Sequence, residues 1–259
     1  MAWVPALLAA IFFISDAQIN LYDPYPTEQA TAVRQQLGPH HVYDCGDITE
    51  NALPAEYDTY RSIFPNSTPV PGNHDWYDGL AAWPWPTDQV DVMDQGIHLV
   101  GFDSALWNDA AALADLQARL DDGPDVFTIL FLHHPLFSAN TRVGGIARVM
   151  RQALLPVVEA ADVDLVISGH SHAYERHVAG GRTFLVIGGA GAHLDQLGPS
   201  STLVCGESCH HWLELEPGGA GVEITVHRLG GGTVDACRVN AAEVADRPTT
   251  WSAVKRLYR

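Results

Sequence analysis

The chain has a single lysine, Lys255, and only 14 basic residues against 31 acidic ones, giving a formal charge of -17 over 259 residues. Its arginines are spread thinly and form no basic run. Coating nucleic acid requires clustered Lys and Arg to neutralise backbone phosphates, so this composition argues against such a role. An acidic surface also repels anionic substrates, and any phosphate chemistry must import its positive charge at one point. A bound metal would do that. Cysteine is scarce as well. Cys45, Cys205, Cys209 and Cys237 are too few and too unevenly spaced for a disulfide framework, which points weakly to a cytoplasmic setting. No apolar stretch approaches the roughly 18 residues of a membrane span. The longest, Trp3 to Ile14, resembles the centre of a signal peptide, yet no Lys or Arg precedes it. We read it as leading into a buried first strand over 10–15.

Without repeats, low-complexity tracts or linkers, the sequence reads as one domain over 1–259. Apolar, β-branched runs predict strands at AIFFIS (10–15), HVYDC (41–45), IHLVGFD (97–103), VFTILFL (126–132), VDLVIS (163–168) and TFLVIG (183–188). Several are apolar nearly throughout, as strands covered on both faces would be. Helical patterns fall at 27–37, 108–120 and 145–160, with Asn108 as an N-cap and Gly123-Pro124 as a stop. HWLELE and GVEITVHRL flank Pro217-Gly218-Gly219 and read as a half-exposed hairpin within a β-rich end over 205–235. The expectation is an α/β protein with sheets between helical layers.

The residues that carry chemistry stand at the exits of the apolar runs. Asp16-Ala17-Gln18 comes after the first and Gly46-Asp47 after the second. Gly72-Asn73-His74-Asp75 ends a short extended segment. His133-His134-Pro135 and Gly169-His170-Ser171-His172 come after the later runs. The carboxyl ends of strands in an α/β sheet converge on one crevice, so ligands remote in sequence can meet there. Carboxylate, carboxamide and imidazole together suit Mn, Fe or Zn better than Ca or Mg. Glycines before Asp47, Asn73 and His170 allow sharp turns beside the ligands.

These boxes, within residues 10–192, resemble those of the calcineurin-like metallophosphoesterases. GHSHAYER (169–176) and FLHHPLF (131–137) are most similar to purple acid phosphatase segments. The resemblance implies a four-layer α-β-β-α sandwich with mixed sheets and a binuclear centre of two divalent or mixed-valence transition metals. Asp47 would bridge the ions, Asp16, Gln18 and His172 would complete one site, and Asn73, His133 and His170 the other. Two metals would supply a hydroxide nucleophile near neutral pH, with His74 as general acid and Glu50 orienting it. Gln18 stands where the family usually has histidine. Glu50 stands where purple acid phosphatases carry their iron-binding tyrosine, so a colourless enzyme is expected. Asn51, in place of the arginine of protein serine/threonine phosphatases, argues against a dedicated phosphoprotein phosphatase.

The function expected is metal-dependent hydrolysis of small-molecule phosphate monoesters or diesters. Alternatives are nucleotide pyrophosphate cleavage at the same site, a non-catalytic metal-binding module of this fold, or a structural zinc on Cys205, Cys209, His210 and His211, a segment otherwise read as a plain loop. His134 and His177 are read as structural. Asp75 is expected to support the ligands, His193 to contact substrate, and Trp76, Tyr77, Trp83 and Trp85 to form either a substrate wall or lid packing. Specificity is assigned to the loops over 76–95, 138–147 and 190–210.

Overall fold

The structure is a computed structural model that describes residues 9–86, 90–123 and 126–241. The first part of the apolar run from Trp3, Pro124 of the expected helix stop, Lys255 and part of the 76–95 loop lie outside these residues.

The first sheet is built on three short parallel strands, β1 (Ile11–Ile14), β2 (Val42–Asp44) and β3 (Ser67–Pro69), joined by helices α1 (Pro24–Leu37) and α2 (Pro54–Ile63). The second begins with β4 (Asp91–Asp94) antiparallel to β5 (Ile97–Phe102). It continues in parallel through β6 (Thr128–Leu132), β7 (Leu165–Ser168) and β9 (Arg182–Ile187), with crossovers through α3 (Ala110–Asp121) and α4 (Gly144–Ala160). β8 (Tyr174–Ala179) and β10 (Leu203–Glu207) close its other edge in antiparallel pairing. The chain then returns to the first sheet through β11 (His211–Gly218), β12 (Gly221–Arg228) and β13 (Thr233–Asn240). The resulting orders are β13-β12-β11-β1-β2-β3 and β10-β8-β9-β7-β6-β5-β4.

Side-chain alternation explains the layering. Ile11 and Phe13 of β1 meet Leu99, Ile129, Phe131, Leu165, Ile167 and Leu185 in a core between the sheets. The alternate residues point outward. Phe12 and Ile14 pack with Val33, Leu37, Tyr57 and Tyr60 of α1 and α2. Leu130, Leu132, Val166 and Phe184 pack with Leu116, Met150, Leu154 and Val158 of α3 and α4. This is the expected α-β-β-α sandwich, and covering on both faces accounts for the continuous apolar runs.

Two local expectations need correction, and one holds. The cap of α3 is Asp109 rather than Asn108, because the Asp109 carboxylate accepts the Ala111 and Ala112 N–H groups. The C-terminal hairpin is half-exposed as expected, with Leu213 and Leu215 in the central core and Glu216 and Glu223 exposed, and β11 lies between β12 and β1. Cys205 lies within β10 rather than in a loop, and all four cysteines are free thiols. Among the described residues, no helix is long and apolar enough to cross a membrane.

Candidate metal centre

Asp16, Asp47, Asn73, His133 and His170 follow β1, β2, β3, β6 and β7, the five strand ends anticipated from sequence. Their backbones are shaped for this placement. Asp16, Gln18, Asp47 and His170 have φ values of 60°, 42°, 52° and 68°, in the left-handed region that L side chains rarely adopt. Such strain costs about 1–3 kcal/mol per residue and clusters at functional sites. Two glycines admit the close approach. A Cβ on Gly72 would overlap the backbone N and Oδ1 of Asp47, and one on Gly169 would overlap Ser15 Oγ and Asp16 Oδ2.

One ligand atom from each of Asp16, Asp47 and His133 lies within 4.8 Å of the others, as does one from each of His133, His134 and His170. His133 Nε2 is 3.2 Å from Asp47 Oδ2, 3.1 Å from Asn73 Oδ1 and 3.2 Å from His170 Nδ1. His172 Nε2 is 3.4 Å from Asp16 Oδ1. The rings are held from behind: His133 Nδ1 faces the Cys45 carbonyl at 3.0 Å and His172 Nδ1 the His193 carbonyl at 2.8 Å. A carbonyl requires a donor, so each neutral ring turns its Nε2 lone pair into the cluster. With His133 neutral, the atoms converging on it present lone pairs to one another, an arrangement that a cation resolves. The residues present thus fit a transition-metal pair.

The carboxylates draw positive charge to this place, and without a metal that charge is a proton on His133. Burial alone would raise the Asp47 carboxyl, but His133 and His74 hold it below the usual carboxylate range. Burial would lower His133, yet the Asp47 carboxylate outweighs it and brings it up to about 9. Burial and the neighbouring His133 push His170 down to about 4.

Six of the seven expected ligands meet here. Gln18 differs: its backbone N–H donates to the Asp47 carbonyl at 2.9 Å, while its carboxamide makes no hydrogen bond to a described residue. His74 adjoins the cluster, with its N–H on Asp47 Oδ1 at 2.8 Å and Nε2 3.9 Å from Asp47 Oδ2. Its Nδ1 is 2.9 Å from the Glu50 backbone carbonyl and 3.6 Å from the Glu50 carboxylate. The backbone of residue 50 is therefore the closer partner. Asp75 is buried and accepts from Gly72 N at 2.9 Å, Ile48 N at 3.2 Å and Tyr57 OH at 3.2 Å, so it braces the ligand loops through their backbone.

The sequence reading treats His134 as structural and names neither Ser15 nor a role for Asp195. His134 adjoins His133 and His170, and its Nδ1 lies 2.8 Å from Ser104 Oγ. Two adjacent histidines were the available signal. Ser15 donates to Asp16 at 2.6 Å. Asp195 holds the far side of the site by accepting the His172 N–H at 3.2 Å and returning its own N–H to the His172 carbonyl at 2.9 Å. Of the aromatics, Trp83 and Trp85 pack edge-on against Tyr57, and Trp76 donates to Asp103 at 3.1 Å. Tyr77 is 62% exposed, with its ring 4.9 Å from that of His74. His193 stacks on Tyr25 at 4.6 Å and bonds Asp23 at 2.7 Å. His210 and His211 turn onto the carbonyls of Gly189 and Cys209.

Among curated proteins, the chain is 40% identical over 63 residues to purple acid phosphatase 22 of Arabidopsis thaliana, which is 24% of this chain and 14% of that protein. In fold it is similar to purple acid phosphatase PPD1 from yellow lupin, Lupinus luteus (TM-score 0.78, 14% identity, 95% of this chain and 58% of that one). It is likewise similar to Plasmodium GAP50, described as the anchor in the inner membrane complex (TM-score 0.75, 15% identity, 92% and 90%). The chain thus spans a small part of the plant phosphatase 22 and just over half of the lupin protein. The family model for the calcineurin-like phosphoesterase superfamily domain matches residues 11–208, and the chain belongs to that superfamily.

Proposed function

We propose that this protein hydrolyses phosphate esters of small molecules at a two-metal centre bridged by Asp47. Asp16, His172 and Gln18 would hold one ion; Asn73, His133 and His170 would hold the other. The observation that carries this reading is the convergence of Asp47 Oδ2, Asn73 Oδ1 and His170 Nδ1 on His133 Nε2, each within 3.2 Å. When bound, the ions would activate water and neutralise phosphoryl oxygens, which answers the repulsion from a surface of charge -17. Mn, Fe and Zn suit the mixed oxygen and nitrogen donors.

His74 is the proton donor to the leaving oxygen. The Glu50 carbonyl at 2.9 Å fixes its Nδ1–H, which aims Nε2 at the cluster, and the Glu50 carboxylate lies behind the same nitrogen at 3.6 Å. Buried Asp75 and Asp195 keep the ligand loops in place. Monoesters and diesters are the leading substrates, with nucleotide pyrophosphates as the alternative.

A second reading, a non-catalytic metal-binding module, is favoured by one observation: Gln18, a weaker ligand than imidazole, stands where the superfamily usually has histidine. A panel of phosphomonoesters, diesters and pyrophosphates, assayed across Mn, Fe, Zn, Ni and Mg after chelation, separates the two. Metal-dependent turnover lost in His74→Asn supports the enzyme. Metal binding without turnover of any of these supports the module.

A further inference from the structure

Two of the loops assigned to specificity, 138–147 and 190–210, meet through an ion pair between Arg142 and Asp195. The partners differ sharply in environment: the Asp195 side chain is 6% exposed and that of Arg142 is 73% exposed. Asp195 is already committed to the site. Its Oδ2 accepts from Asn140 Nδ2 at 2.8 Å and from the backbone N–H of His172, a proposed ligand, at 3.2 Å. Its charge is therefore shared among three donors. Arg142 has a fork of five N–H groups, and contact with one carboxylate leaves most of them toward solvent. Among the described residues, no other arginine is ion-paired to a carboxylate that also hydrogen-bonds a proposed ligand. Arg142 is thus a cation one carboxylate away from His172, on an otherwise acidic molecule.

We infer that Arg142 forms an anion subsite beside the metal centre. It would take a second phosphate or carboxylate group of the substrate, selecting esters with an additional negative charge displaced toward His172. This rests on the reading that the scissile phosphoryl group binds at Asp47. Bidentate N–H donation to a phosphate or carboxylate is the chemistry a guanidinium supplies.

The test is a thermal-shift titration of the full chain with orthophosphate and with pyrophosphate, at fixed free Mn(II), for the wild type, Arg142→Gln and Arg142→Lys. Metal content is measured in parallel. The wild type should prefer pyrophosphate by about tenfold, as one added charged hydrogen bond supplies. Arg142→Gln should abolish most of that preference while metal content and orthophosphate affinity hold, and Arg142→Lys should restore part of it. An unchanged preference in Arg142→Gln overturns the inference. So does a parallel loss of metal and of both anions, which would make Arg142 only a brace for Asp195. A protein that shows the Arg142-dependent preference yet turns over no ester retains the subsite and loses the hydrolytic reading.

Discussion

The backbone N–H of His170 donates to Oδ2 of Asp16 at 2.9 Å, across 154 positions of sequence and from one sheet to the other. Gly169, between β7 and His170, lies so close to Asp16 that a Cβ would overlap its carboxylate. Gly169→Ala should therefore displace Asp16, lower metal affinity, and destabilise the fold by about 1–3 kcal/mol, the usual cost of overpacking. Gly144→Ala, where a Cβ meets nothing within 4 Å, should be neutral or slightly stabilising. Denaturant unfolding of the two variants checks the contrast, and equal effects would contradict it.

The geometry ranks His74 above Glu50. Because the backbone of residue 50 already holds His74 Nδ1, Glu50→Gln should reduce kcat less than about tenfold, whereas His74→Asn removes the acid and should cost about 10²–10⁴-fold. Steady-state kinetics on one ester, with metal content matched, decides it. A Glu50→Gln loss as large as that of His74→Asn would show that the carboxylate does the orienting.

Much of the candidate site was legible in the sequence because ligands at the ends of buried strands leave a double trace, an apolar run and then a glycine-flanked polar box. What those boxes could not reveal were side-chain partners made across long separations. Asp195 and Arg142 sit in loops without a pattern, and their meeting depends on how α4 and β9 bring those loops together. Helix α2 was missed because PAEYDTYRSI is polar over most of its length. It is held by Tyr57 and Tyr60 against the sheet, and by the buried Glu56 carboxylate, which accepts the Asn51 N–H at 2.9 Å. β11 reads as half-exposed because Glu214 and Glu216 alternate with leucines, and it is so, but the alternation gave no sign that the strand lies between β12 and β1.

The GHSHAYER segment divides into two functions. Beyond His172, Tyr174 OH donates to Asp235 at 2.7 Å and Arg176 Nε donates to the same carboxylate at 2.6 Å, joining β8 of one sheet to the edge strand β13 of the other. Asp235→Ala should destabilise the fold by about 1–3 kcal/mol, since it leaves both donors partly buried and unpaired. Bound metal should stay at the wild-type level. Calorimetry with metal analysis checks this, and loss of metal would place the staple within the site.

Glu175 gives a pH signature. It is buried, and burial alone would raise its carboxyl, but His177 at 2.9 Å, the Ala139 N–H and Ser171 Oγ at 2.7 Å hold it below the ordinary value of 4.5. A carboxyl lowered in the folded state adds stability above about pH 4.5 that is lost as pH falls through the folded-state value. Glu175→Gln should therefore be less stable than the wild type at pH 7, with the gap narrowing in acid. Urea midpoints from pH 7 to pH 3 test it, and a gap that widened in acid would reverse the sign.

Asp47 as the bridge between two ions is the feature on which the proposed chemistry depends. Elemental analysis of the chain, loaded with Mn(II) or Zn(II) and freed of excess metal, should give about two ions per wild-type molecule and fewer than about one in Asp47→Asn, because loss of a bridging charge weakens both sites together. A wild type that binds none, or an Asp47→Asn variant that keeps both, would contradict it.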